Sequence, residues 1–165
     1  MTRHVILMAL ATAACGSRTT TTTPPPQDRF AALVGTEHPP RPAGITEVAS
    51  YLLDESSRGR WVVAEVKAAR DPARAVILDE VISRGAAGAT RWRTAAVQPV
   101  RAADSALTVA LGTCSVAGRA DRWIVGLTTS AAKPLVRRAW RVDTATRRFT
   151  SVDAAKVTCD DLMGR

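Results

Sequence analysis

Beyond residue 60, apolar and polar side chains alternate in short runs that turn-forming residues separate. The clearest run covers residues 61–68, where Val62, Ala64 and Val66 share one face and charged residues lie on the other. A period of two is the repeat of a β-strand with one buried face. The run therefore predicts a half-buried strand, and its repetition along the chain predicts an antiparallel meander.

Pairs of such runs predict three β-hairpins, because turn residues lie between the members of each pair. The pairs are residues 75–83 with 91–97, residues 107–116 with 122–129, and residues 136–142 with 147–152. Two structures fit the last segment, 153–163. It is either a strand that enters at Lys156 or a short helix capped by Asp153, and we favour the strand.

Residues 45–55 show a different spacing, which places Ile45, Val48, Ala49 and Leu52 on one helical face. Alternation through Ser50 is also compatible with a strand. We predict a short amphipathic helix that packs on the apolar side of the sheet.

The N-terminus has the pattern of an export signal, in which Arg3 precedes an apolar stretch and small residues lead up to Cys15. The stretch is too short to span a bilayer, which needs roughly 20 apolar residues. The segment that ends in Thr12-Ala13-Ala14-Cys15 resembles the start of a bacterial lipoprotein precursor. This resemblance implies that residues 1–14 are a signal peptide and that Cys15 becomes the acylated N-terminus.

Thr12 stands where a leucine is usual in that family, so a second outcome is open. Ala11-Thr12-Ala13 also fits an ordinary signal peptidase, which would release a soluble secreted protein. After Cys15, a run of threonines and prolines favours an extended chain. We predict a tether over residues 15–43, in which Phe30, Leu33 and Val34 form a docking turn, and a single globular domain over residues 44–165.

The resemblance also bears on the other two cysteines. If Cys15 carries lipid, Cys114 and Cys159 remain as a pair, and in an oxidising compartment they are expected to form a disulfide. The stretch from Gly112 to Cys159 is similar to small secreted bacterial proteins that carry such a hairpin and a closing cysteine, and it implies no activity. The predicted fold class is α+β: a small antiparallel β-meander, one short N-terminal helix packed on it, and one disulfide.

Charge is the main signal for a binding partner. The chain has a net charge of +8, and arginines crowd the third predicted hairpin at Arg137, Arg138, Arg141, Arg147 and Arg148. Such a cluster is suited to phosphate, an acidic polymer or an anionic membrane surface. A general bias toward arginine in the composition also explains the cluster, and we favour that explanation over a binding site. Export argues against nucleic acid as the partner.

The tryptophans lie in predicted strands, at Trp61, Trp92, Trp123 and Trp140. Large aromatic side chains usually fill cores, so we expect them to pack inside the domain. Trp92 differs because arginines flank it on both sides and the pattern leaves its face undecided.

No catalytic motif is evident. His38 precedes Pro39 in the predicted tether, so a Ser-His-acid triad would lack a rigid base, and one histidine with two distant cysteines does not form a metal site. Adjacent carboxylates such as Asp79 and Glu80 point to opposite faces of a strand. We predict no catalytic residues, metal or cofactor.

These patterns predict a lipid-anchored protein of the cell envelope that faces the periplasm or the exterior. We expect a non-enzymatic module that binds an anionic envelope component or a protein through its basic sheet face. The alternative is a small periplasmic hydrolase or modifying enzyme with unconventional catalytic residues.

Overall fold

A computed structural model describes residues 26–54, 59–85 and 89–160, and in this part of the chain almost all regular structure is strand. The predicted signal peptide, Cys15 and the threonine-proline run lie outside the described residues. Helix α1 covers Pro26–Ala31. The strands are β1 (Glu37–His38), β2 (Ile45–Leu52), β3 (Trp61–Ala68), β4 (Arg74–Arg84), β5 (Thr90–Val100), β6 (Thr108–Leu111), β7 (Cys114–Val116), β8 (Arg119–Ala120), β9 (Ile124–Thr128), β10 (Val136–Asp143), β11 (Arg148–Val152) and β12 (Val157–Cys159).

The strands form three antiparallel sheets. Sheet I has the order β1-β5-β4-β3-β2, sheet II the order β11-β10-β9-β6, and sheet III the order β12-β7-β8. Sheet I is a meander from β2 to β5 that the N-terminal strand β1 extends at its β5 edge. The predicted class α+β, with a helix packed on a single meander, is therefore wrong, and the described chain is nearly all β.

The predicted helix over residues 45–55 is wrong because residues 45–52 form β2. This strand pairs with β3, from Ile45 opposite Ala68 to Leu52 opposite Val62. The register shifts between Glu47 and Ala49, which leaves Val48 as the extra residue of a β-bulge. A bulge interrupts the period of two, and the interrupted alternation resembled helical spacing.

Several predicted strands are confirmed. The strand at residues 61–68 is β3, the first predicted hairpin is β4 with β5, and the third is β10 with β11. The prediction that β3 is half-buried is wrong, because both of its faces are covered and Val63, Ala64 and Glu65 are all buried. In the second pair, β6 pairs with β9 while a small hairpin, β7 with β8, is inserted between them. Its two turn residues, Ala117 and Gly118, both have positive φ, as a tight two-residue hairpin turn requires.

The main core lies between sheets I and II. Its buried side chains larger than alanine are Leu53, Trp61, Val63, Val76, Leu78, Val100, Val125, Leu127, Trp140 and Val142. Each fully buried valine or leucine in such a core stabilises the fold by about 1.5–3 kcal/mol. Trp123 is partly buried against this core.

The outer face of sheet I is covered by the N-terminal arm, which we define as residues 26–43. Phe30 and Leu33 are buried against Ala64, Val66 and Ile77 of this face. Val34, the third residue of the predicted docking turn, is 52% exposed.

The predicted disulfide is confirmed. Cys114 and Cys159 lie opposite each other in β7 and β12, with an S–S distance of 2.08 Å. Gly126 of sheet II lies beneath the bridge, and a Cβ at this position would be 2.6 Å from Sγ of Cys159. Both alternatives for the last segment are present, because Asp153 caps a short 3₁₀ helix, Ala154–Lys156, and β12 follows it.

Candidate functional site

The structure does not bring the five arginines of the third hairpin onto one surface. Three of them pair with carboxylates of different elements: Arg138 with Asp104 at 2.6 Å, Arg141 with Asp121 at 2.7 Å, and Arg147 with Glu80 at 3.0 Å. Alternation and a bulge between Val136 and Arg138 separate their faces. Arg137 and Arg148 are exposed near opposite ends of the hairpin, and neither forms an ion pair with the described residues.

One end of the sandwich gathers a different group of cations. Strands β3, β5 and β9 end there, and strands β4, β6 and β10 begin there. Contacts of Arg74 hold the two sheets together at this end, because its Nη2 donates to the carbonyl oxygens of Ser105, at 2.9 Å, and Leu107, at 2.6 Å. Connections that are distant in sequence therefore meet in one place.

These connections and the strand termini beside them carry five exposed cations, which we call the basic end: Lys67, Arg70, Arg101, Lys133 and Arg137. None forms an ion pair with a residue in 26–54, 59–85 or 89–160. The carboxylates nearby are neutralised by other arginines: Asp71 by Arg29, Asp104 by Arg138, and Glu65 by Arg74. The basic end thus keeps its positive charge.

An apolar side chain lies within the same surface. Leu135, in the connection between β9 and β10, is 60% exposed and stands between Lys133 and Arg137 in sequence. The connection is fixed at its base, where Thr129 N–H donates to the carbonyl of Leu135 and Leu135 N–H donates to Oγ1 of Thr129. A leucine is therefore presented to solvent by an ordered loop.

A second polar cluster is buried on the outer face of sheet I. His38 of β1 and Asp79 of β4 are 5% and 1% exposed, and Nε2 of His38 lies 3.2 Å from Oδ2 of Asp79. Arg41 Nη2 donates to the same carboxylate oxygen at 2.9 Å, and Thr94 Oγ1 donates to the other at 2.8 Å. We call His38, Arg41, Asp79 and Thr94 the arm clamp, since it joins the N-terminal arm to β4 and β5.

Glu47 completes the exposed side of the arm clamp by accepting hydrogen bonds from the guanidinium of Arg41. Burial by itself would raise the pKa of Glu47, but the hydrogen bonds from Arg41 and Ser50 outweigh it, and the pKa lies below its ordinary value. Glu37 at the start of β1 accepts from Arg93 at 2.9 Å, and this hydrogen bond lowers the pKa of Glu37. Both carboxylates are thus charged partners of arginines near neutral pH.

The arm clamp contains a histidine and an aspartate, as a His-acid catalytic pair does, but a substrate could not reach either side chain. Only a small fraction of either side chain meets solvent, and Arg41 Nη1 approaches the same Nε2 at 3.0 Å. A general base must reach a substrate proton within about 3 Å or through one water. With Nε2 enclosed by protein groups, the geometry supports a structural role.

No family model, curated protein or solved structure matches this chain. In the residues that the structure describes, no group of three or more His, Cys, Asp or Glu side chains is arranged to hold a metal ion. None of the helices in the same residues has the length and apolar character needed to cross a bilayer.

A shallow cleft runs between β2 and β6, the free edges of sheets I and II. It has a volume of about 140 Å³ and is lined by Ser50, Tyr51, Thr108, Thr128 and Asp160, among others. Small-molecule pockets typically measure about 300–1,000 Å³, so this cleft is below the size of a typical ligand site.

Trp92 is the tryptophan whose face the sequence left undecided. It lies opposite His38 and Val81 in the register, which places it on the outer face of sheet I, where it is half-buried. Trp61 and Trp140 are buried in the main core, as expected.

Sequence analysis missed both the basic end and the arm clamp. The arm clamp joins residues 38 positions apart, and no local pattern marks that contact. The basic end had one local signal, Lys133-Pro134-Leu135-Val136-Arg137, in which an apolar residue between two cations follows a turn.

Proposed function

We propose that this protein is an exported module of the cell envelope, held by a lipid on Cys15, that binds an anionic component of the envelope through its basic end. The observation that carries the proposal is the gathering of five exposed cations at one end while the neighbouring carboxylates pair with other arginines. Clefts and surfaces of one charge sign raise the local concentration of opposite charges. Of the five arginines predicted from the sequence, only Arg137 belongs to this surface.

The cysteines support the envelope location. Cys114 and Cys159 are joined between paired strands, and disulfides persist in oxidising compartments. This leaves Cys15 as the remaining cysteine of the chain, at the end of the segment that resembles a lipoprotein leader. A folded body with a closed disulfide and a separate N-terminal cysteine suits attachment through that cysteine.

The arm clamp supports binding over catalysis. A hydrolase would need this histidine and aspartate as a catalytic pair. In the structure Arg41 and Thr94 enclose both side chains. They fix the arm to sheet I, so a pull on the chain at Pro26 is transmitted to the whole body. This is a useful property for a domain held at its N-terminus.

Intact-mass analysis of the protein purified from its native membrane tests the anchor, with the Cys15→Ser variant as control. We expect a mass that shows loss of residues 1–14 and addition of acyl chains, and release of the Cys15→Ser variant from the membrane fraction. An unmodified thiol at residue 15 in the native protein would refute the anchor.

Salt elution from a column of immobilised anionic polymer tests the basic end. We compare an Arg101→Ser, Lys133→Ser, Arg137→Ser triple variant with an Arg84→Ser, Arg91→Ser, Arg148→Ser triple variant, which loses the same charge at the opposite ends of β4, β5 and β11. The first should elute at clearly lower salt than the second. Equal elution of both would show that only the net charge matters.

A further inference from the structure

We infer that the partner of the basic end is an anionic phospholipid bilayer, and that the domain stands on the membrane with Leu135 at the level of the headgroups. This inference deepens the proposed function and rests on it only for the lipid anchor. The basic end and its leucine are properties of the folded body alone.

The chain enters the folded body beside the basic end. Arg29, three residues after Pro26, pairs with Asp71 in the connection between β3 and β4, at the basic end. The chain then runs away from that end, and Gly35 N–H donates to the carbonyl of Thr94 in the middle of β5. An anchor upstream of Pro26 is therefore attached beside the basic end.

The length of chain between Cys15 and Pro26 limits how far the basic end can lie from the membrane. Eleven peptide steps separate Cys15 from Pro26, and a fully extended chain spans at most about 3.6 Å per residue, or roughly 40 Å in total. A domain of this size is itself about 30 Å across. The anchor consequently keeps the basic end within roughly 40 Å of the bilayer, a little more than one domain diameter.

The basic end combines positive charge with apolar surface. Each lysine or arginine near an anionic membrane surface favours binding by about fivefold. Leu135 adds apolar area that enters the boundary between headgroups and acyl chains, and the long side chains of Lys133 and Arg137 extend to the headgroup level. A soluble acidic polymer would use the cations but would gain nothing from an exposed leucine.

The shape of the basic end also favours an extended surface over a single small anion. Its cations come from four separate parts of the chain: β3, the β3–β4 turn, the segment after β5, and the loop between β9 and β10 with the start of β10. All five side chains are exposed. Spread charges of this kind match a plane of many headgroups.

The test measures sedimentation of full-length Cys15→Ser protein with vesicles of phosphatidylglycerol and phosphatidylcholine in a 3:7 ratio, and with pure phosphatidylcholine. The shared Cys15→Ser background removes the acyl chains, and the neutral vesicles measure any contribution of the leader. In that background the basic-end triple variant should lose on the order of 100-fold in partitioning to anionic vesicles. The triple variant of Arg84, Arg91 and Arg148 should lose far less.

A fluorophore reports the position of Leu135. Leu135→Cys and, as control, Val34→Cys are each labelled with an environment-sensitive dye in the Cys15→Ser background, where the other two cysteines are bonded. Anionic vesicles should shift the emission to shorter wavelength at residue 135 and leave it unchanged at residue 34.

Three results would overturn the inference: equal binding to neutral and anionic vesicles, equal loss in the two triple variants, or no spectral shift at residue 135. An unacylated Cys15 in the native protein would refute the anchor and leave these vesicle results standing. The two failures are thus distinguishable.

Discussion

Nη1 of Arg41 lies 3.0 Å from Nε2 of His38, the ring nitrogen that also lies 3.2 Å from Oδ2 of Asp79. Arginine only donates, so its contact needs a lone pair on Nε2, whereas the contact with the carboxylate needs a proton there. One nitrogen cannot satisfy both at once. The direct bond from Arg41 Nη2 to Asp79 keeps the carboxylate paired in either case.

Asp79→Ala should destabilise the fold more than any other removal of a single carboxylate described above. Breaking a buried ion pair costs about 3–5 kcal/mol, and here it leaves His38 without its carboxylate and Arg41 with Glu47 alone. Urea unfolding measures the difference. Asp160→Ala is the control, because Asp160 is exposed and surface substitutions typically change stability by about 0.5 kcal/mol or less. Similar losses in both variants would contradict the arm clamp.

The free energy of unfolding should decrease at acidic pH, partly because Glu47 becomes protonated. Its pKa is lowered from an ordinary 4.5, so its bond with Arg41 contributes stability that is complete above that value and is lost as the pH falls through the folded-state pKa. Glu47→Gln should therefore lower the free energy of unfolding at about pH 7 and make little difference at about pH 2. Denaturant titrations at several pH values provide the measurement. A constant difference between the two proteins across that range would argue against this role.

Removing the disulfide should lower stability by about 4 kcal/mol, the chain-entropy value for a loop closed over 45 positions. The paired Cys114→Ser, Cys159→Ser variant and the reduced native protein should unfold at similarly low urea concentrations. A loss below about 1 kcal/mol would indicate that sheet III is held mainly by other contacts.

Gly126→Ala should destabilise the protein by about 1–3 kcal/mol, the usual cost of overpacking. The new Cβ would lie 2.6 Å from Sγ of Cys159 and 3.3 Å from Sγ of Cys114. Gly85→Ala is a matched control, since its nearest neighbour would be 3.4 Å away. Thermal unfolding followed by circular dichroism separates the two, and equal midpoints would contradict the close approach.

Local sequence patterns correctly predicted many of the strands and two of the hairpins. Strand β3 and the β4–β5 and β10–β11 hairpins follow from alternation and turn residues that are close in sequence. Strand β2 was misassigned because the extra residue Val48 interrupts its alternation. The division into three sheets depends on pairings such as β6 with β9, which no short window of sequence contains.

The candidate surfaces also depend on residues that are distant in sequence. Five arginines close in sequence suggested one patch, yet neighbouring residues on a strand point to opposite faces. In addition, three of the five pair with carboxylates of other elements. The cations of the basic end, from Lys67 to Arg137, are spread over 71 positions of the chain. Only the fold brings their connections to one end.

The arm pairs with sheet I at its β5 edge, and this has a consequence for biosynthesis. The arm is synthesised early, but its partners come much later in the chain: Glu37 bonds Arg93, 56 positions on. The β5 edge ends at Val100, so β1 cannot pair there until about a hundred residues have been synthesised. An uncovered edge is a template for pairing with another chain, and in the folded protein β1 covers this edge at Trp92 and Arg93.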